Sequence, residues 1–558
     1  MIFYSLSSIK TKLTTTMKNI KKILTVVFFA LLLTTVYSQP YTIWQKQYAG
    51  SSGLSDEAMG ISANSNGEVF VTGYTTDPNA DIVTIKYDPA TGDSLWVKRY
   101  SGSLEDKPTS ITSDNNFVYV TGWSFSSVGG RDIITIKYSA ATGDTVYVKK
   151  YNGTGNGGDY GWAIEVDAAG NAYVTGRTDI GGQQKMLVLK YDPSGNISYS
   201  TVYIGPLSNS FDEAKVIKVD ASGNAFIAGL SGVSNVPSTY DYLTMKLNAN
   251  GIIQWAKKYN GTANAEDYAN SMVIDNSETN IFVGGSSFRT GTLQDYFIIK
   301  YNAITGDSVA SAYYSAAANI DVLKAMTKDN SGNIYVTGNS FGTTNYNFAT
   351  IKYNSSLQQQ WVTRTTNSGP DYSVAVDYDP SGFVYVSGYS TGSGTGTDYL
   401  TERYFESNGA RDWFVRNNGG SSGNDIVTGM VVIGPDNIYV TGSAVFEGNL
   451  NFYTIRYSQT NSVRPVSGEV PKSFNLEQNY PNPFNPSTKF NFDLPENTHV
   501  NIVVYDMLGR EVEMLVNNEM KAGKYEVTWN AVNSGSGVYF YKLTTASYTE
   551  TKKMILQK

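Results

Sequence analysis

Eight aspartates stand in one register with eight glycines, each 16 to 18 residues ahead of its partner: Asp56, Asp106, Asp159, Asp212, Asp267, Asp321, Asp371 and Asp425, before Gly73, Gly122, Gly176, Gly229, Gly285, Gly338, Gly388 and Gly442. A second acidic set, Asp81, Asp132, Asp241, Asp295 and Asp398, follows the glycine in five of the copies. Carboxylates gathered this way could hold a hard cation such as Ca²⁺, which takes several oxygen ligands at roughly 2.3–2.6 Å. They could also accept hydrogen bonds from sugar hydroxyls or, as a close pair, do acid–base work on a glycosidic bond. Against all three stands economy. A residue present in every copy of a repeat is better explained as a turn device, its carboxylate accepting from nearby loop amides, than as eight copies of one site.

Other chemistries are closed by composition. Cysteine is absent and histidine occurs once, at His499. Disulfides, thiolate nucleophiles, Cys-ligated zinc, Ser-His-Asp triads and paired-histidine metal motifs therefore have no material to work with. The formal net charge is -7 over 558 residues, and no Lys/Arg cluster lies beyond the N-terminus. Nucleic acid is accordingly not an expected partner. The Asp-x-x-Gly-Asn phrases, Asp167 to Asn171, Asp220 to Asn224 and Asp329 to Asn333, lack the alternating acids and closing glutamate of an EF-hand loop and read as tight hairpin turns.

The elements that carry these residues are short strands. Val69-Phe70-Val71-Thr72-Gly73 recurs at intervals of 49 to 56 residues, and such a period marks a repeat architecture. Downstream of each glycine comes an alternating segment, as in Thr84-Ile85-Lys86-Tyr87. A glycine turn such as Ala90-Thr91-Gly92-Asp93 then leads to a fourth segment with an aromatic: Trp96, Tyr147, Trp255, Trp361 and Trp413. Period-two alternation argues strand. Four strands of about six residues with short connections account for the period. The repeat glycines are expected to serve either a positive φ or a close backbone approach.

Four antiparallel strands, eight times over, predict an all-β fold, an eight-bladed β-propeller over residues 39–458. The ends of the repeat region say how it closes. The eighth copy runs through Tyr453-Thr454-Ile455-Arg456-Tyr457 and then lacks its aromatic fourth strand, while such a strand, Ile43-Trp44-Gln45-Lys46-Gln47-Tyr48, stands alone at the start. The N-terminal strand should therefore complete the last blade and latch the ring, covering otherwise exposed faces and edges.

Phrases such as Asp329-Asn330-Ser331-Gly332-Asn333-Ile334-Tyr335-Val336-Thr337-Gly338 resemble the repeats of bacterial β-propeller repeat (SBBP-like) families over residues 40 to 458. That resemblance implies the fold and leaves function open, because propellers host unrelated activities. In a symmetric fold, function is expected where the copies differ. The long loops Trp123 to Arg131, Leu230 to Tyr240 and Tyr389 to Thr397 are the candidates.

Both termini carry addresses. Lys18, Lys21 and Lys22, the apolar run Ile23 to Leu33 and Val36-Tyr37-Ser38 read as a signal peptide over residues 1–38, with Met17 as the true start and no membrane span in the mature chain. Residues 459–473 read as a polar linker. Beyond it come Asn479-Tyr480-Pro481-Asn482-Pro483-Phe484-Asn485-Pro486, then Asp506-Met507-Leu508-Gly509-Arg510, Gly537-Val538-Tyr539 and Lys552-Lys553-Met554. In that order they closely resemble the type A C-terminal sorting domain of the type IX secretion system. The resemblance implies a small Ig-like β-sandwich over 474–558 whose partner is that secretion machinery, passage through the periplasm and across the outer membrane, and a final place at the cell surface or outside. Independently, the prolines between 481 and 486 should fix a rigid lead-in, with strands in His499 to Tyr505, Tyr525 to Trp529 and Val538 to Leu543.

The functional expectation is a secreted or surface-displayed binding, adhesion or scaffold module for an extracellular glycan or protein, needing no catalytic residue and no cofactor, with Ca²⁺ the one cation its rim could take. The alternative is a glycosidase or lyase working through paired carboxylates.

Overall fold

A computed structural model describes residues 40–557, apart from 52, 78, 103, 127–129, 156, 206–208, 234–235, 237–238, 317–318, 366, 368, 460–463, 468–469 and 532–533. The signal-peptide expectation therefore lies outside the described residues.

The repeat region forms eight four-stranded antiparallel sheets, seven of them built from consecutive strands. Blade 1 runs Asp56–Ala63, Val69–Thr76, Ala80–Tyr87, Ser94–Tyr100 from the inside outwards. Within each blade the second and third strands are buried along almost their whole length. Their β-branched and aromatic side chains face the neighbouring blades on both sides, which is why they read as near-continuous apolar runs. Fourth strands alternate between exposed and buried, as outer edges should. First strands of adjacent blades touch one another all the way round, and Asp56–Ala63 also meets Ile426–Val432 of the last blade. The ring is closed.

Blade 8 is the split one. Tyr41–Tyr48 pairs antiparallel with Asn449–Ser458, so the chain's first described strand is the outermost strand of its last blade. One contact recurs at most of the junctions. Trp96 of blade 1 lies under the turn glycine Gly143 of blade 2, where a Cβ would come within 2.7 Å of the indole, and its Nε1 donates to Ala140 O at 3.2 Å. Trp255 and Trp361 make the same contact with Gly306 and Gly409. Because those turn glycines have φ near +70°, the position excludes other residues on two grounds, conformation and space.

The repeat glycines answer a different need. None of the eight, Gly73 through Gly442, has a positive φ, which corrects one of the two expectations for them. Each sits opposite a β-bulge in the first strand, and a Cβ would come within about 2 Å of a backbone oxygen, as at Gly73 (2.1 Å from Glu57 O) and Gly338 (2.1 Å from Val322 O). The bulged residues are Met59, Thr109, Trp162, Lys215, Asn270, Lys324, Val374 and Thr428. A bulge twists and bends its strand, and here it recurs in every first strand of the ring.

After the ring, two four-stranded sheets pack into a sandwich: one contains Ser487–Leu494 and Gly523–Asn530, the other Thr498–Tyr505, Glu511–Met520, Gly537–Thr544 and Thr549–Leu556. Phe484, Phe490, Phe492, Trp529, Tyr541 and Met554 sit in its core. The linker is more than a tether. Its Arg464–Ser467 adds an edge strand by pairing with Lys524 to Glu526, so the sandwich begins before residue 474, and Pro465 is tolerated because an edge strand need not donate on both sides.

Candidate functional site

The eight repeat aspartates stand at the start of the first strand of every blade, within it or, for Asp159 and Asp425, immediately before it, and each is almost wholly buried. In blade 1 the amide of Gly50, in the loop that enters the blade, donates to Asp56 Oδ2 at 2.6 Å, while the amide of Thr76, at the end of the second strand, donates to Oδ1 at 3.1 Å. Asp159 does the same for Gly153 and Asp179, Asp267 for Gly261 and Phe288, and Asp425 for Gly419 and Val445. Asp106 receives Gly102, Asp212 receives Gly205 and the Ser231 hydroxyl, and Asp321 receives Ala316. In blade 7 the Asn367 side chain replaces the amide at Asp371. Every carboxylate thus clips the loop between blades to its own blade.

Burial raises the carboxyl pKa of Asp56, Asp106, Asp159, Asp267, Asp321, Asp371 and Asp425, with the donated amides or hydroxyls pulling the other way. Among the described residues no three acidic or histidine side chains come together as a metal would need. The glycine that feeds each clip was not read from the sequence. Its trace is Gly50, Gly102, Gly153, Gly205, Gly261 and Gly419, four to seven residues ahead of the aspartate in six copies. A Cβ at Gly102 would come within 2.7 Å of Asp106 Oδ2.

The second acidic set has its own partners. Asp81 is paired with Arg99 at 2.6 Å, Asp241 with Lys258 at 3.0 Å and Asp398 with Arg416 at 3.3 Å, each cation coming from the fourth strand of the same blade. Asp295 accepts from the Thr292 hydroxyl, and Asp132 is raised by burial with Lys150 opposing.

Beside the repeated aspartate the copies diverge. The residue after it pairs across the sheet with the residue after the repeat glycine, giving Glu57 with Tyr74, Lys107 with Trp123, Tyr160 with Arg177, Tyr268 with Ser286 and Tyr372 with Tyr389. The bulged residue completes the set and reaches the next first strand: Thr109 donates to Gly161 O at 2.6 Å, Asn270 to Leu323 O at 2.9 Å, and the Trp162 indole to Glu213 at 2.8 Å. These side chains are mostly half-buried, with one face toward solvent.

Two arcs of this mouth are aromatic. Across blades 2 to 4, Tyr160 and Trp162 stack with ring centroids 5.6 Å apart and planes within 5°, and Trp123 meets Tyr160 edge-on at 6.3 Å. Arg131 lies 4.5 Å over Trp123, Arg177 4.4 Å over Tyr160 and Lys215 4.4 Å over Trp162. Across blades 6 and 7, Phe341, Tyr346, Tyr372 and Tyr389 form a chain of rings 5.0 to 5.5 Å apart without a cation among them. Of the loops singled out in the sequence, Trp123 to Ser126, Gly130 and Arg131 prove to be paired strand, as do Leu230 to Val233, Tyr389 to Thr391 and Thr397. The variable segments are shorter than expected, because the second and third strands extend past the rim of the ring.

The opposite face differs. A cavity of about 250 Å³ between blades 5 and 6 is lined by the turn residues Asp275 and Ser331 and by Lys300 of a third strand. The Asp-x-x-Gly-Asn phrases form turns on that face, Asp329 Oδ1 accepting the amides of Ser331 and Asn333 at 2.8 Å.

In the C-terminal sandwich the motif residues are mostly structural. Asn479 is buried, its amide donating to the Tyr541 hydroxyl and its side chain to Pro481 O and Thr488 Oγ1 at 3.0 and 2.9 Å. Tyr480-Pro481 and Asn482-Pro483 are cis, and residues 481–486 form no strand. Phe484 packs on Trp529, which also meets Tyr539. Asn485 and Pro486 lead into Ser487–Leu494, Gly509 turns with φ of 75°, Gly537 opens the strand that carries Tyr539, and Lys552 pairs with Glu550 at 3.2 Å. Tyr480, Met507 and Leu508 are exposed apolar side chains, and Pro481 to Pro483, Asn485, Gly509 and Arg510 are exposed as well.

Residues 478–557 match the family described as the secretion system C-terminal sorting domain. This domain marks the chain for export by the type IX system to the cell surface or the extracellular space. Among solved structures, Sqt1 of Saccharomyces cerevisiae is similar at 10% identity over 74% of this chain and 98% of that one, with a TM-score of 0.45. The polysaccharide lyase Uly1 is similar at 12% identity over 64% and 91%, with a TM-score of 0.38. No curated protein matches the sequence.

Proposed function

We propose that this exported chain is a binding module that engages an extracellular partner through the mouth of its ring, on the face where the blades differ, and that it does so without catalysis or cofactor. One observation carries the reading. The residue common to all blades, the aspartate, is buried and engaged by backbone amides or neighbouring side chains, whereas the cross-strand pair and bulged residue beside it change from blade to blade and keep a face in solvent. A scaffold repeated by duplication needs the first kind of residue everywhere, and recognition needs the second kind somewhere. Half-buried Trp, Tyr and Arg held by their neighbours suit recognition, because little rotamer freedom is left to lose on binding.

The test is a screen of the purified full chain against a glycan array and extracellular proteins, with polysaccharide turnover assayed in parallel. A ligand bound without turnover supports the module, and cleavage of a bound polysaccharide would replace it with the carboxylate enzyme. Absence of any ligand would leave the ring as a spacer and reject the proposal.

A further inference from the structure

The two aromatic arcs of the mouth are not equivalent, and the difference is charge. Blades 2 to 4 place Arg131, Arg177 and Lys215 on the rings of Trp123, Tyr160 and Trp162, whereas the rings of blades 6 and 7 carry no such cation. Two of the three cations share one counter-ion. Arg177 Nη1 lies 2.9 Å and Lys215 Nζ 2.5 Å from Glu213, whose carboxylate also accepts the Trp162 indole. Arg131 has only the half-exposed Glu105, at 3.9 Å. Lys107, in the same blade as Trp123, sits 4.1 Å over Tyr74. Arg131 Nη1 also donates to the Tyr160 hydroxyl at 3.2 Å, which holds the guanidinium against the aromatic cluster. Arg131, Arg177 and Lys215 keep 36, 21 and 34% of their side chains exposed, whereas Glu213 beneath two of them is 6% exposed, so the cations face solvent while that counter-ion does not.

Resting on the binding reading above, we infer that the arc of blades 2 to 4 binds an acidic polysaccharide, its sugars against the half-buried aromatic cluster and its acid groups meeting Arg131, Arg177 and Lys215. The chemistry of the arc selects this class. The half-buried aromatic cluster offers apolar platforms to sugar C–H groups, while guanidinium groups present planar donors suited to carboxylate or sulfate oxygens. Stacking fixes each guanidinium in place beforehand, so its donors are aimed before the ligand arrives. A neutral glycan would use the platforms but leave the cations without gain.

The full chain is titrated calorimetrically with polygalacturonate, dextran sulfate and neutral dextran, with thermal melting of each variant as the control for folding. At least one acidic polymer is expected to bind ten-fold or more tightly than dextran, with affinity falling as salt rises. Trp162→Ala and Arg177→Gln are each expected to weaken that binding ten-fold or more, and Tyr389→Ala in the uncharged arc less than two-fold. Lys215→Gln, partly exposed and free of any core role, covers the case in which Trp162→Ala fails to fold. Binding of polygalacturonate alone or of dextran sulfate alone identifies carboxylate or sulfate as the acid recognised, and either supports the inference. Dextran bound as tightly as the acidic polymers, and lost on Trp162→Ala, would overturn the acid preference while leaving the binding module intact. Acidic-polymer binding indifferent to all three substitutions in the arc, or no binding of any polymer, would overturn the inference outright.

Discussion

Trp44, near the beginning of the described chain, packs against Gly92, the turn glycine of blade 1, in the contact that Trp96 makes with Gly143 and Trp361 with Gly409. A Cβ on Gly92 would come within 2.5 Å of the indole, and Trp44 Nε1 donates to Pro89 O at 2.9 Å. The junction at which the ring closes is therefore built like those two internal ones, except that its two sides come from opposite ends of the repeat region. Trp44→Ala should cost about 3 kcal/mol, as truncation of a buried tryptophan does, and Trp96→Ala about the same. Urea unfolding of the two variants checks this. A cost for Trp44 far below that for Trp96 would mean that the latch strand frays independently of the ring.

Gly338 stands opposite the bulge at Lys324, and a Cβ there would lie 2.1 Å from Val322 O and 2.7 Å from the Tyr296 hydroxyl. Neither neighbour is the free end of a flexible chain, so even Gly338→Ala must move backbone. A loss of about 2 kcal/mol or more is expected, and more still for Gly338→Val. An unchanged melting temperature for Gly338→Ala would show that the bulge relaxes at little cost.

Asp377 links blades 7 and 8, accepting the amide of Val432 at 2.9 Å, and burial holds its carboxyl up at about 6 against an ordinary value of 3.8. The folded chain keeps this proton over a range in which the unfolded chain has released it. The contribution to stability is thus full below about pH 3.8 and is lost as pH rises through about 6. Asp377→Asn cannot titrate. The melting temperature of the native chain relative to this variant should therefore rise as pH falls from 7.5 to 4.5, and a constant difference would contradict the assignment.

Export depends on the C-terminal sandwich. Removing Phe474 to Lys558 should leave the protein in the periplasm of a producing cell, read by fractionation and surface labelling. Normal appearance at the surface would refute the sorting role. Because Arg464–Ser467 pairs into that sandwich, a second truncation ahead of residue 464 is the cleaner variant.

Much of the ring was legible because its determinants are local and repeated. The Asp-to-Gly register, the alternating third strand and the aromatic fourth strand each occupy a few consecutive residues, and the orphan strand at Ile43 to Tyr48 declared its partner by the gap at the other end. The bulge was not legible, since an extra residue in a strand leaves the spacing constant when all eight copies share it. That hid the reason for Gly73 and its equivalents and hid Trp162 and Lys215 as mouth residues. The arc of blades 2 to 4 was half visible. Trp123 and Arg131 bounded a segment singled out for its variability, but Tyr160, Arg177 and Glu213 come from other strands and meet only through the ring. The one available signal was that residues following the repeated aspartate and the repeated glycine change type from copy to copy.

The division between a structural acid ring and a recognising mouth is tested most directly by comparing Asp267→Asn with Trp162→Ala for ligand binding on the array, each scaled to its folded fraction. Asp267 is buried and clips Gly261 and Phe288, whereas Trp162 stands in the mouth. Asp267→Asn is expected to lower the melting temperature and leave the binding of its folded fraction unchanged, and Trp162→Ala to weaken the binding of its folded fraction ten-fold or more. Binding lost on Asp267→Asn and retained on Trp162→Ala would contradict the division and return the acid ring to the centre of the function.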